Sequence, residues 1–307
     1  MDDQATRLRK LVEGKTSYSD NIQDRVIRAN AVNSLTQDSH PSARTIAITS
    51  GKGGVGKTNL AVNLAIAMGK MGKRVIVLDA DMGMANVDVL LGTSSKKNLM
   101  DLLQDDVSIE DVLIRGPYGV SYISGGSGME HAAEMTMLQQ QKLFNKLTAC
   151  DAWADIIIID TGAGIGKNVL HFIVAADEVL LVLTPEPTSL TDAFAVIKAY
   201  SQVCDTQAVK LIVNKVFDAI ESAETANKMI RTADRFLHVD IESIGYVCDD
   251  RHLVQAVRKQ KPVVEAFPDS LAARCIQSLA SNLLTGRNEE VKLGWGGFLR
   301  RMLQLGR

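Results

Sequence analysis

The stretch Gly51-Lys52-Gly53-Gly54-Val55-Gly56-Lys57-Thr58 has the spacing G-x-x-x-x-G-K-[ST] of a phosphate-binding loop. Its glycines let the backbone turn its N–H groups inward onto phosphate oxygens. Lys57 then reaches the β and γ oxygens, and the Thr58 hydroxyl is placed to ligate Mg²⁺. Such a loop has to run from a strand into a helix. Thr45-Ile46-Ala47-Ile48-Thr49 before it is β-branched and apolar, while Leu60, Leu64, Ala67, Met68 and Met71 recur after it at helical spacing. The helix N-terminus would face the anion, and Asn59 extends the nucleotide-binding stretch into its first turn.

Lys52 has no role in this loop's own phosphate site, because residues so early in the loop point away from the phosphates it cradles. The pattern Lys-Gly-Gly-Val-Gly-Lys-Thr at Lys52 to Thr58 resembles the deviant Walker A ATPases of the MinD/ParA family. The resemblance implies a P-loop NTPase fold and ATP hydrolysis with Mg²⁺. It also implies an ATP-dependent homodimer in which Lys52 reaches the partner's nucleotide and joins Lys57 and Asp81 in catalysis.

The remaining chain fits one large α/β domain with appendages. Its 307 residues carry no Pro/Gly/Ser-rich linker in the middle. A formal net charge of −2 argues against wholesale nucleic-acid binding, so no direct binding is expected. Cys150, Cys204, Cys248 and Cys275 form no C-x-x-C pair and read as small core residues of a reducing compartment. With no apolar h-region and no run near the roughly 20 residues that span a bilayer, the expected location is cytoplasmic.

Short, continuously apolar runs alternate with helical patterns: Val75 to Leu78, Ile156 to Ile159, Val179 to Leu183 and Lys210 to Val213. Such runs are strands covered on both faces, which predicts an α/β, doubly wound, mostly parallel sheet with helices on both faces. Val120 to Ile123 and Ser243 to Val247 are weaker strand candidates. Ligands of such sheets sit beyond the carboxyl ends of the strands, and three ends carry polar chemistry. Asp160 follows an all-isoleucine run, where a carboxylate needs a cation, and reads as the acid that holds Mg²⁺ through water. Asp79 and Asp81 share one side of an extended segment and must divide the labour. By the resemblance, Asp79 joins Thr58 and Asp160 around the metal, Asp81 orients the attacking water, and Asn86 lies in the first switch segment. Asp160 to Ile165 likewise resembles the second switch, and Asn214 the adenine-reading asparagine, its amide offering donor and acceptor.

The two ends carry further signals. Trp295, Phe298, Leu299, Met302 and Leu303 fall at i, i+3, i+4, i+7 and i+8, one apolar stripe with Arg300 and Arg301 off it. This suits an anionic membrane surface, with a helix docked on the body as the alternative. At the N-terminus, Asp3, Gln4, Ala5, Leu8 and Arg9 make a pattern similar to the activator motif of the flagellar-number branch of the family, FlhG, also called FleN or YlxH. That branch implies an FlhF-type GTPase, flagellar C-ring proteins and a σ54-dependent flagellar transcription activator as partners. It also implies membrane residence in the ATP-bound state, at a cell pole. The insert Gly14 to Ser42 departs from the pattern and loosens the link between motif and body. The expected layout is a flexible arm over 1–42, the ATPase domain over 43–286, and a tether with a membrane-targeting helix over 287–307. A DNA-partitioning ATPase would need a basic strip where this chain has only scattered pairs. A nitrogenase-iron-protein-like role would need a cluster cysteine after Asp160, and none follows it. A nucleotide-gated scaffold with negligible turnover stays open.

Overall fold

The computed structural model of the chain describes residues 42–81, 86–92, 97–125, 135–204, 208–286 and 294–305. Eight strands form one sheet: β1 Arg44–Ser50, β2 Val75–Ala80, β3 Leu113–Arg115, β4 Val120–Ile123, β5 Ile156–Ala163, β6 Glu178–Leu183, β7 Val209–Val216 and β8 Ile241–Cys248. Their order is β3-β4-β2-β5-β1-β6-β7-β8, and every pairing is parallel except β3 with β4. All six apolar runs and the strand before the phosphate loop are strands, as their composition predicts. The short antiparallel β3 was not anticipated, since its three residues carry no pattern of their own.

The helices are α1 Lys57–Lys70, α2 Asn86–Leu91, α3 Ile109–Val112, α4 Met137–Leu147, α5 Lys167–Ala175, α6 Pro187–Ser201, α7 Ala219–Leu237, α8 Arg251–Arg258, α9 Val263–Ala266, α10 Leu271–Thr285 and α11 Gly294–Leu305. They split between the two faces because successive strand side chains do. Ile46, Ile48, Ile156, Ile158, Leu180 and Val182 pack with α1, α8, α9 and α10. Ala47, Ile157, Ile159, Val179, Leu181 and Leu183 pack with α4, α5, α6, α7 and α11. Every residue of β2 and β6 is buried, which is why both strands are apolar apart from Asp79 and Glu178.

The C-terminal helix belongs to this body. Trp295, Phe298 and Leu299 are buried; Phe298 stacks on Phe172 of α5 with ring centroids 6.3 Å apart, and the Trp295 indole N–H donates to the Leu147 carbonyl at 2.6 Å. Arg301 is buried as well. Its guanidinium donates to the carbonyls of Val174 and Ala175, satisfying the last turn of α5 with a cation where the helix dipole is negative. The stripe expected to meet lipid therefore fills the core in this structure, with Met302 and Leu303 half-buried at its margin.

At the edge where the strands begin, Glu178 of β6 receives both Arg44 of β1, in a bidentate pair, and Lys210 of β7 at 2.8 Å. Arg44 also donates to the Leu283 carbonyl at the end of α10. Burial pushes the Glu178 carboxyl up, but the two cations outweigh it and hold it below its ordinary 4.5. Its stabilising share is therefore present above pH 4.5 and is lost as pH falls through the depressed value. Glu178→Gln strands two buried cations and should cost about 3 kcal/mol at pH 7. In urea denaturation across a pH series, the gap to wild type should close on acidification; a gap independent of pH would disprove the electrostatic account.

Candidate active site

β1 lies between β5 and β6, and its carboxyl end delivers the loop Gly51–Gly56 to the centre of the sheet. Two glycines of the loop are there for steric reasons. A Cβ on Gly51 would stand 2.1 Å from the backbone of Asp192, because α6 packs directly on the loop. Gly56 adopts φ 99°, a conformation side chains disfavour, and a Cβ there would meet the Asn214 amide at 2.4 Å.

Lys57, the first residue of α1, is buried, and its ammonium donates to the Ser50 hydroxyl at 3.0 Å. Burial lowers its proton affinity, while the charges of Asp160 and Asp81 raise it. Asp160 is wholly buried within β5, in register with Asp79 on β2. Neither oxygen of its carboxyl has a partner meeting hydrogen-bond geometry, although the Thr58 hydroxyl lies beside it. Burial pushes this carboxyl up to about 7, with the Asp79 charge adding to the rise and Thr58 and Lys57 opposing it. A fully buried pair of acceptor oxygens beside a threonine hydroxyl fits a divalent cation held at Thr58, with Asp160 acting through its water shell. Among the described residues no three or more His, Cys, Asp or Glu side chains form a metal cage, and a Mg²⁺ held largely by phosphate and water needs none.

Asp79, expected near the water shell of the metal, has backbone partners as well. Its carboxylate accepts from the backbone N–H of Asp81 at 3.1 Å and of Val87 at 3.5 Å, so it also shapes the turn into α2. Asp81 is half-buried with a carboxylate oxygen 3.4 Å from where a Gly162 Cβ would lie, so Gly162 leaves the room this carboxylate occupies. The two strand ends expected to act on one site are thus in contact. The segment after Asp160 folds onto the loop through Gly164 N–H to the Ser50 carbonyl at 2.8 Å.

Lys52 stands apart from this cluster. Its ammonium donates to Glu186 at 2.9 Å and Thr188 at 3.1 Å, at the start of α6, and the pair is exposed. Asn214, buried at the end of β7, gives its amide to the Val55 carbonyl at 2.7 Å, and Lys215 gives its ammonium to Gly54 at 2.9 Å. Both residues brace the loop from outside. They border a cavity of about 390 Å³, walled further by Val247 to Asp250 and by α8, which has the largely apolar lining a base requires.

Ser50, Glu186 and Lys215 were missed by the sequence reading. The rule that sends ligands to strand carboxyl ends also applies to β6, and its following Thr184-Pro185-Glu186 was the available signal. Asp3, Gln4, Ala5, Leu8 and Arg9 lie outside the described residues, as do 82–85 and 287–293; α2 begins at Asn86.

This fold, with its phosphate loop, buried strand-end acid and second lysine, defines a nucleotide hydrolase of the MinD/ParA type. A family model described as an AAA domain matches residues 43–213. The antiactivator FleN of Pseudomonas aeruginosa is 40% identical over 244 residues, 80% of this chain and 87% of that protein. The flagellum site-determining protein YlxH of Helicobacter pylori is 34% identical, covering 87% of this chain and 92% of that one. The septum site-determining protein MinD of Pyrococcus horikoshii, solved with Mg-ADP, superposes with a TM-score of 0.64 at 27% identity, over 80% of this chain and 98% of that one. The chain belongs to the MinD/ParA-type ATPases, in the FlhG branch that includes FleN and YlxH. It is an ATPase.

Asp160→Asn removes a carboxyl that, among the described residues, is the one buried without a hydrogen-bond partner. The variant should keep metal-independent nucleotide binding and lose the gain that Mg²⁺ confers. Because the folded value lies above the ordinary 3.8, wild-type protein without nucleotide loses stability as pH rises from 3.8 toward 7. At pH 8 Asp160→Asn should therefore be the more stable, by up to about 4 kcal/mol. Unchanged Mg²⁺ dependence in calorimetric titrations would refute the assignment.

Proposed function

We propose that this chain is an ATP-driven dimerising switch that sets flagellar number or placement through partner proteins. The observation that carries the reading is the separation of the two lysines. Lys57 is buried among Asp81, Asp160 and Ser50, whereas Lys52 is held at the surface by an exposed ion pair. Exposed pairs are screened by solvent and are weakly held, so a partner's phosphates can compete for Lys52.

In the proposed reaction Lys57 and the loop N–H groups hold the phosphates in line, and Thr58 with Asp160 holds the Mg²⁺. When bound, the cation would supply positive charge against the negative charge on the γ-phosphate oxygens. Asp81 takes up the attacking water from the side opposite the leaving group. Lys52 arrives from the partner and completes the charge balance, which makes turnover depend on pairing. Asn214 and the cavity beside it seat the adenine. The names of FleN and YlxH support the flagellar role, with an FlhF-type GTPase, C-ring proteins and a σ54-dependent activator as the proposed partners. Asp3, Gln4, Ala5, Leu8 and Arg9 are the proposed GTPase-activating motif.

Membrane attachment enters this reading on one condition. The stripe Trp295, Phe298, Leu299, Met302 and Leu303 is the proposed lipid-binding face, so α11 has to leave the body before it can bind an anionic surface. Two such helices in a dimer would then bind together with the avidity one lacks.

Three variants test these statements. Lys52→Ala should bind ADP as wild type does yet remain monomeric with ATP in size-exclusion chromatography, and Asp81→Ala should dimerise with ATP and not turn it over. Normal hydrolysis by either variant would sink the mechanism. Phe298→Glu should cost at least about 3 kcal/mol of stability, since a charge replaces a buried ring, and abolish ATP-dependent liposome sedimentation. Wild-type stability with lost sedimentation would mean that the helix is free in solution.

A further inference from the structure

Two of the four cysteines, 27 residues apart in sequence, meet in space. The Sγ of Cys275 on α10 lies 3.8 Å from the Sγ of Cys248 at the end of β8, and neither thiol is fully buried. The contact follows from how the two elements pack. α10 runs along β8 with Asn282 donating to the Ile244 carbonyl at 3.3 Å and Leu279 pressed against Gly245. A Cβ on Gly245, whose φ is 143°, would come within 2.8 Å of Leu279. Cys275 opposite Cys248 is the next step in the same register. The thiols are therefore held together by the core.

We infer that Cys248 and Cys275 form an intramolecular disulfide site, closed by hydrogen peroxide, that fastens one wall of the nucleotide cavity. A disulfide needs about 2.05 Å between sulfurs, so the pair has to close by less than 2 Å, which rotation about the side-chain bonds can supply. In the first step a thiolate attacks the O–O bond of the peroxide, forming a sulfenic acid and releasing hydroxide that leaves as water. The second thiol then attacks that sulfur and expels a second water. Two thiols and one peroxide thus give one disulfide and two waters, with the sulfurs oxidised and the peroxide oxygens reduced. Burial, then the neighbouring Cys275, pushes the Cys248 thiol up to about 11, so little of that sulfur is thiolate at neutral pH and its reaction with peroxide is slow.

Cys248 and Ile276, the neighbour of Cys275, both line the cavity beside the phosphate loop. Drawing the sulfurs together moves these two wall elements as one and removes the freedom with which the wall seats a base. This second step rests on reading the cavity as the base site. Oxidation should therefore weaken nucleotide binding several-fold.

The full chain is treated with hydrogen peroxide, alkylated and digested with trypsin, and ADP is titrated into reduced and oxidised protein. The expected product joins peptides 236–251 and 275–287 within one chain, is reversed by dithiothreitol, and vanishes in Cys248→Ser and in Cys275→Ser. Full alkylation of both thiols after peroxide, or a sulfinic acid at either without a link, would overturn the site. A link with unchanged ADP affinity would overturn its coupling to the cavity. Failure of the reduced protein to bind ADP would overturn the reading of the cavity, while the peptide map still decides the disulfide.

Discussion

A carboxyl group sealed from water with neither oxygen properly hydrogen-bonded is the constraint around which the centre of this protein is built. Asp160 sits within β5, beside Asp79 across the strand pair and near Asp81 and the Lys57 ammonium. In a medium that screens poorly, three carboxylates and one ammonium leave an excess of negative charge. Burial first, and this charge second, pushes the Asp160 carboxyl up to about 7 in the protein without nucleotide. A divalent cation relieves the excess, and the Thr58 hydroxyl is already in place. Loop, strand register and the small residues Gly162 and Gly164 all serve to bring these groups within reach of one another without a side chain in between.

The opposite edge of the sheet solves a different problem. There Asp177 accepts from Thr45, through backbone and hydroxyl, and from the Gly294 N–H. Beside it Glu178 gathers Arg44 and Lys210. Two acidic residues at the start of one strand thus fasten β1, β7, α10 and α11. The ionic cluster is costly to desolvate, and its value lies in geometry: each cation arrives from a different element, so the charges can be satisfied only when those elements are in register.

Most of the architecture could be read from the chain because it is written in local patterns. Continuous runs such as Ile156 to Ile159 have one solution, a doubly covered parallel strand, and the glycine-lysine spacing of the loop has one chemistry. Long-range pairings were not legible. Nothing near Lys52 announces Glu186, 134 residues away, and the separation of Cys248 from Cys275 matches no motif. The C-terminal helix shows a third kind of limit. An apolar stripe is the same stripe whether it meets lipid or a protein core, and the hydrophobic term that drives both is non-directional. What separates them is Arg301, which a surface helix would leave in water and this structure buries against the end of α5.

That arginine also fixes what release of α11 would entail. Freeing the helix uncovers Phe172 and leaves the last carbonyls of α5 without their cation, so α5 is the element that registers the change. α5 starts at Lys167, directly after the glycine-containing turn that follows Asp160 and folds onto the phosphate loop. One helix of nine residues therefore has the turn that follows Asp160 at its start and the C-terminal helix at its last turn. A short, well-packed helix moves as a rigid body, because bending it would break its internal hydrogen bonds while tilting it only repacks its sides. On the proposed reading, an adjustment of the turn at Gly162 to Gly166 around a γ-phosphate would reach the Phe298 and Arg301 contacts through this helix. On the proposed reading, this is the physical link by which ATP at one edge of the sheet loosens α11 at the other.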